Sequence, residues 1–167
     1  MTDAPTTAQA LGPAALIAVD VWGAFDAASA RLGERLRGSL PGLLGSANLA
    51  GGWRALRVEP TVWWLIGPLA DLEAELIAAE AALGEDGAAV DLSGGFVRLE
   101  IAGPGWRELL MIGGVFDAED PAFGPGSTAG TLLHHASVRY DAVDEGRVHI
   151  LVAPSYAQDL LHHLRAT

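Results

Sequence analysis

No lysine and no cysteine occur in this 167-residue chain, and all of its cations are arginines. Without lysine there is no Schiff-base chemistry and no amine nucleophile. Without cysteine there are no disulfides, thiolate metal sites or thiol nucleophiles. A chain free of cysteine fits a reducing compartment. Long apolar runs are missing too, since none reaches the roughly 18 residues that span a bilayer. The start, "MTDAPTTAQALGPAA", has neither the basic residues nor the apolar core of a secretory signal. The expectation is a cytoplasmic chain with no membrane partner.

What is present is acid. The net charge is −11, from 21 acidic residues against 10 arginines. Such a chain repels phosphate backbones, which argues against a nucleic-acid partner. Half the residues are apolar, enough for a substantial core.

Residues 1–14 are small and polar with two prolines and are expected to be loosely ordered. Leu16–Val21 reads as a short buried strand broken by Gly23. Phe25, Ala28, Leu32 and Leu36 then recur at helical spacing as far as Gly38. Residues 39–52 carry loop chemistry. Trp53–Val58 and Val62–Ile66 read as paired strands, and the amphipathic helix after them closes at Gly84. Ala88–Leu92 is a strand, Ser93-Gly94-Gly95 a turn and Phe96–Ile101 a strand, followed by a helix over Trp106–Ile112 with Pro104 at its entry. Residues 113–127 are rich in glycine and proline around an acidic centre, Asp117, Glu119 and Asp120. Leu132–Val143 and Arg147–Val152 predict a hairpin around Asp144-Glu145-Gly146, and Ser155 is the expected N-cap of the last helix.

That order, β-α-β-β-α-β then β-α-β-β-α, is one split-βαβ unit written nearly twice. "VWWLIGPLADLEAEL" and "VHILVAPSYAQDLLHHL" share an apolar strand, a small residue, a proline and a helix. The repeat predicts an α+β fold of duplicated ferredoxin-like halves, about 15–92 and 96–167, with mostly antiparallel sheets in a single domain over 15–167.

Candidate chemistry is sparse. His134 and His135, adjacent on a strand, would face opposite sides, so they cannot share a metal. His162 and His163 lack the i, i+4 spacing of a helical ligand pair, and with His149 these are read as surface or edge histidines. No metal site is expected. Asp117, Glu119 and Asp120 lack the alternating ligands of a calcium loop and read as a solvated or partner-facing loop. Ser93, Ser127 and Ser155 lie in no nucleophile motif and read as turn or cap residues. No catalytic residue is expected. Trp22 and Trp106 sit at the starts of equivalent helices. Trp63 and Trp64 are consecutive in a strand and face opposite ways, which suits a sheet covered on both faces.

Four segments together resemble the gamma subunit of heterotetrameric sarcosine oxidase: "VEPTVWWLIGP", "AAVDLSGGFVRLEIAGPGWRELL", "DPAFGPGSTAGTLL" and "VHILVAPSYAQDLLHHL". That family is similar in turn to the folate-binding domain of glycine cleavage system aminomethyltransferases. The resemblance implies an aminomethyltransferase-like fold and a non-catalytic structural role beside alpha, beta and delta partners. It places FAD, FMN, NAD and tetrahydrofolate on the alpha and beta subunits and zinc on the delta subunit, with no cofactor in this chain. The implied reaction of the complex is oxidative demethylation of sarcosine or a related N-methyl amine, because "MIGGVFDAEDPAFGPG" lacks a proline and a histidine usual in the family. Candidate partner contacts are Trp63, Trp64, Asp117, Pro121, Phe123 and Pro125. The alternative is a small folate-type ligand-binding protein of the same fold, in which Asp91 or Asp117 would meet the pterin.

Overall fold

The structure is a computed structural model that describes residues 5–166. The chain divides into two compact units. One is Ala14–Ser93; the other joins the segment before Ala14 to everything from Gly94 on. Each unit holds a five-stranded sheet in which every pairing is antiparallel.

The strands are β1 (Thr7–Ala10), β2 (Ala15–Val21), β3 (Ser46–Asn48), β4 (Arg54–Arg57), β5 (Val62–Gly67), β6 (Gly87–Asp91), β7 (Val97–Ala102), β8 (Thr128–Leu133), β9 (Ala136–Asp144) and β10 (Arg147–Val152). The helices are α1 (Phe25–Arg35), α2 (Leu72–Leu83), α3 (Trp106–Met111) and α4 (Pro154–Ala166).

In the Ala14–Ser93 unit the strand order is β3-β4-β5-β2-β6. Alternation along β2 sends Ile17, Val19 and Val21 into the core with Ala28 and Leu32 of α1 and Ala79 and Leu83 of α2. Gly84, at φ +57°, ends α2 as expected, in a conformation that disfavours a side chain. Trp63 of β5 is buried, its ring stacked on Phe25 at 5.6 Å with the Arg57 guanidinium 4.7 Å from its centroid. Trp64 points to the other face and is half-buried.

In the other unit the order is β1-β7-β10-β9-β8. Leu99 and Ile101 of β7, Tyr140 of β9 and Val148 and Ile150 of β10 pack with Trp106 and Leu110 of α3 and Leu160 and Leu164 of α4. From β8, this sheet runs edge strand, hairpin pair, first strand of the repeat and then β1. The Ala14–Ser93 sheet runs the same way from β3. The duplicated α+β architecture is therefore real, and β1 occupies the position that β6 fills in the other sheet.

That placement corrects the reading of residues 1–14 as loosely ordered. Thr7–Ala10 pairs with Leu99–Ala102, and the Arg165 Nε donates to the Ala8 carbonyl at 2.9 Å. The second repeat lacks its own last strand, so the open edge of β7 has a place for one. The first four residues lie outside the described residues.

Three further expectations are corrected. Residues 39–52 are not wholly loop, because β3 adds an edge strand beside β4. Leu132–Val143 is not one strand. It is β8 and β9 joined by His134-His135, both at positive φ, 45° and 69°. This is the backbone of a tight two-residue hairpin, normally signalled by Asn or Gly. Ser155 is not the N-cap of α4, which begins at Pro154, where a fixed φ and a missing N–H cost nothing.

Candidate functional site

At the junction between units, β6 runs into Asp91-Leu92-Ser93. The Asp91 Oδ1 accepts the Ser93 N–H at 2.9 Å, and the Ser93 Oγ accepts the Leu16 N–H at 2.9 Å. The Leu92 N–H donates to the Leu16 carbonyl at 2.8 Å. Bonding from the Ser93 hydroxyl and amide lowers the Asp91 pKa below the usual carboxylate range. Asp91 is thus an exposed turn-forming carboxylate that terminates a strand.

Residues 113–127 are tightly held. Phe116, Ala118 and Phe123 pack into the core of their unit. Phe123 lies edge-on to Phe116 at 4.8 Å. The Arg107 guanidinium lies 4.3 Å from the Trp106 ring centroid, and its Nη1 donates to the Ala118 carbonyl and to the Phe123 carbonyl, the latter at 2.9 Å. Asp117 and Asp120 each accept a backbone N–H two residues on, from Glu119 at 3.0 Å and Ala122 at 2.8 Å. Pro121 and Pro125 are exposed, as is Asp117. Sequence does not mark Arg107, because its acceptors are carbonyls 11 and 16 residues further along.

The histidines fall into two settings. His134, in the β8–β9 turn, stacks on His163 of α4 with centroids 4.8 Å apart, and His162 lies edge-on to His163. Among the described residues no group of three or more histidine, aspartate or glutamate side chains could hold a metal ion. His149 of β10 meets Glu100 of β7 at 3.1 Å. Glu100 also accepts from the Gln9 Nε2 of β1 at 3.0 Å, and an Arg147 nitrogen lies 3.9 Å away. Burial lowers the His149 pKa, against the opposing pull of Glu100 and Asp141. Burial would raise the Glu100 pKa, but hydrogen bonds from Gln9 and His149 and the charges of His149 and Arg147 bring it below its ordinary value.

The remaining candidates separate by burial. Trp63 and Phe123 are core residues, so neither offers a surface to a partner. Trp22 is 63% exposed, its Nε1 donating to the Glu85 carbonyl, whereas Trp106 is buried with its Nε1 on the Glu145 carbonyl. The two helix starts are equivalent in topology but not in packing. Ser127 bridges Gly124 and Ala122 within its loop, and Ser155 is exposed in the first turn of α4. Two open grooves, of about 540 Å³ between β1, α3 and α4 and about 310 Å³ beside Arg35, Arg37, Trp53 and Glu75, are lined by neither Asp91 nor Asp117. Asp91 and Asp117 are exposed carboxylates that each accept a backbone N–H two residues on within a turn. No described helix is long and apolar enough to cross a membrane.

A subunit from the heterotetrameric sarcosine oxidase of Corynebacterium sp. U-96, solved with pyrrole 2-carboxylate, superposes with a TM-score of 0.83 at 22% identity, over 95% of this chain and 81% of that one. The glycine cleavage system aminomethyltransferase T of Bartonella henselae superposes with 0.71 at 17% identity, over 98% of this chain but 46% of that enzyme, so this chain spans less than half of it. The regulatory subunit of aspartate kinase from Thermus thermophilus follows with 0.53 at 13% identity, over 98% of this chain and 97% of that one. At such identities these likenesses speak for the shared two-sheet α+β fold. No curated protein matches the sequence. The model of the sarcosine oxidase gamma subunit family matches residues 20–166, a span that holds the Ala14–Ser93 sheet except for Ala15–Val19 of β2, and also the Asp91–Ser93 turn, the pinned loop and α4. This chain belongs to the sarcosine oxidase gamma subunit family.

Proposed function

We propose that this chain works as a structural subunit of a sarcosine-oxidase-like complex and carries no step of the reaction itself. The observation that supports this best is the use made of its polar groups. Asp91, Ser93, Asp117, Asp120 and Ser127 are each engaged by backbone in turns. Arg107 is spent on two carbonyls of its own chain. Such groups shape a scaffold and leave little for a substrate.

In this reading the partners are alpha, beta and delta chains. FAD, FMN, NAD, tetrahydrofolate and zinc reside on them, and the amine oxidised is sarcosine or a relative with an N-methyl group. The location is the cytoplasm. The folate-binding alternative rests on the aminomethyltransferase-like fold alone.

Co-expression with the other chains of its complex tests the proposal. The expected result is stoichiometric co-purification, with flavin absorbance only when the larger chains are present. Turnover of sarcosine by this chain alone would sink it. Calorimetric titration with tetrahydrofolate tests the alternative, and saturable heat at micromolar concentration would revive it.

A further inference from the structure

We propose that Val115 and Leu132, bordered by Asp117 and Glu119, form the face by which this chain docks a basic surface of another subunit. The inference rests on the subunit reading above. Val115 is 80% exposed, more than any other large apolar side chain described. Gly114 bridges Leu133 in the antiparallel sense, which sets Val115 opposite Leu132 at the edge of β8. Leu132 is itself 48% exposed. Two large apolar side chains are thus left in water side by side, a pattern that marks interaction sites.

The segment is rigid where it presents them. Phe116 and Ala118 point into the core while Val115, Asp117 and Glu119 point out. Arg107 ties down the carbonyls of Ala118 and Phe123. Ordering costs are therefore already met in the folded chain, which favours tight docking. Hydrophobic burial would supply affinity at the centre, and the carboxylates at the border would select the partner.

The sign of the border decides the occupant. A second copy related by a two-fold axis would bring Asp117 and Glu119 against their own counterparts, and the chain as a whole carries −11. Like charges facing each other oppose that pairing. A partner surface with an apolar side chain flanked by arginine or lysine satisfies both parts of the face.

The test measures affinity between this chain and the assembled alpha, beta and delta chains of its own complex. Four variants are compared with the wild type: Val115→Glu, Val115→Ala, the double substitution Asp117→Arg/Glu119→Arg, and Ile77→Glu. Ile77 is 59% exposed on α2 in the other unit and serves as the control. Val115→Glu is expected to weaken binding about tenfold or more. The double charge reversal should do likewise and remove the weakening of wild-type binding by salt. Ile77→Glu should bind as the wild type. Circular dichroism and thermal melts verify folding, and Val115→Ala, the mildest change, should still lose a measurable part of the affinity. Wild-type affinity in both Val115→Glu and the double variant overturns the inference while leaving the subunit reading intact. A wild-type chain that assembles with none of the three removes the subunit reading, and this inference with it. Self-association that Val115→Glu abolishes would assign the face to a second copy and overturn the basic partner.

Discussion

Replacing Arg107 with alanine should loosen the loop at 113–127 from the core beneath it. The guanidinium serves the Ala118 and Phe123 carbonyls from one nitrogen and covers the Trp106 ring at 4.3 Å. A hydrogen bond from a charged donor contributes about 1.5–3 kcal/mol. The cation–π contact adds about 0.5–1 kcal/mol at a partly exposed position. The two hydrogen bonds share a donor and do not add fully, so the expected loss is about 2–4 kcal/mol. Urea denaturation reads it as a lower midpoint at unchanged slope. Native-state hydrogen exchange should locate it at the Phe123 amide, which donates to the Asp120 carbonyl at 2.8 Å. Arg107→Lys keeps the charge but not the fork and should lose roughly half as much. A loss under about 0.5 kcal/mol with unchanged exchange at Phe123 would show that the buried Ala118 and Phe123, with the partly buried Phe116, hold the loop unaided, and would refute the reasoning.

Tyr140→Phe should stabilise the protein. The hydroxyl is fully buried without a hydrogen-bond partner among the described residues, and burial raises its pKa, so its removal should gain about 0.5–1.5 kcal/mol in urea melts; a loss of similar size would reveal a further partner. Stability should also depend on His149. Its pKa is lower folded than unfolded, so the unfolded chain binds the proton first and stability falls as pH drops below about 6.5. Glu100, also lowered, adds a second loss below about 4.5. Melting temperatures for wild type and His149→Gln between pH 7.5 and 5 check this, with a shallower slope expected in the variant. Deleting residues 1–10 should uncover the edge of β7 and cut its pairing with Thr7–Ala10. Lower stability and faster aggregation are expected, measured by thermal melt and light scattering; a truncated chain as stable as the whole would mean that β1 contributes nothing.

The sequence by itself determined the element types and the duplication. The short apolar run Leu16–Val21 and the helical spacing of Phe25, Ala28 and Leu32 are local signals, and local backbone geometry reads them directly. Gly84 and Pro154 are equally local, because φ is set residue by residue. The spacing of the four quoted segments carried the family in the same one-dimensional way, and the family model agrees over residues 20–166. Ser93 was legible as a turn residue because its bond to Asp91 spans only two residues, whereas the bonds from Leu92 and Ser93 to Leu16 are long-range and were not.

Only the tertiary structure decided the rest. Thr7–Ala10 has a polar, weakly patterned sequence, and it becomes a strand because β7, some ninety residues away, offers an open edge. His134-His135 turns because the strands on either side pair through Leu133 and Ala136, against the preference of the residues themselves. Burial sorted the candidate contacts. Trp63 and Phe123 went inward, while Asp117, Pro121, Pro125 and Val115 were left outside. Burial sums contacts from many distant segments, and no local pattern in the chain encodes that sum. The pinned loop follows the same logic: its fixed shape belongs to Arg107 on a preceding helix, so its sequence reads as a solvated or partner-facing loop while Phe116, Ala118 and Phe123 turn to the core.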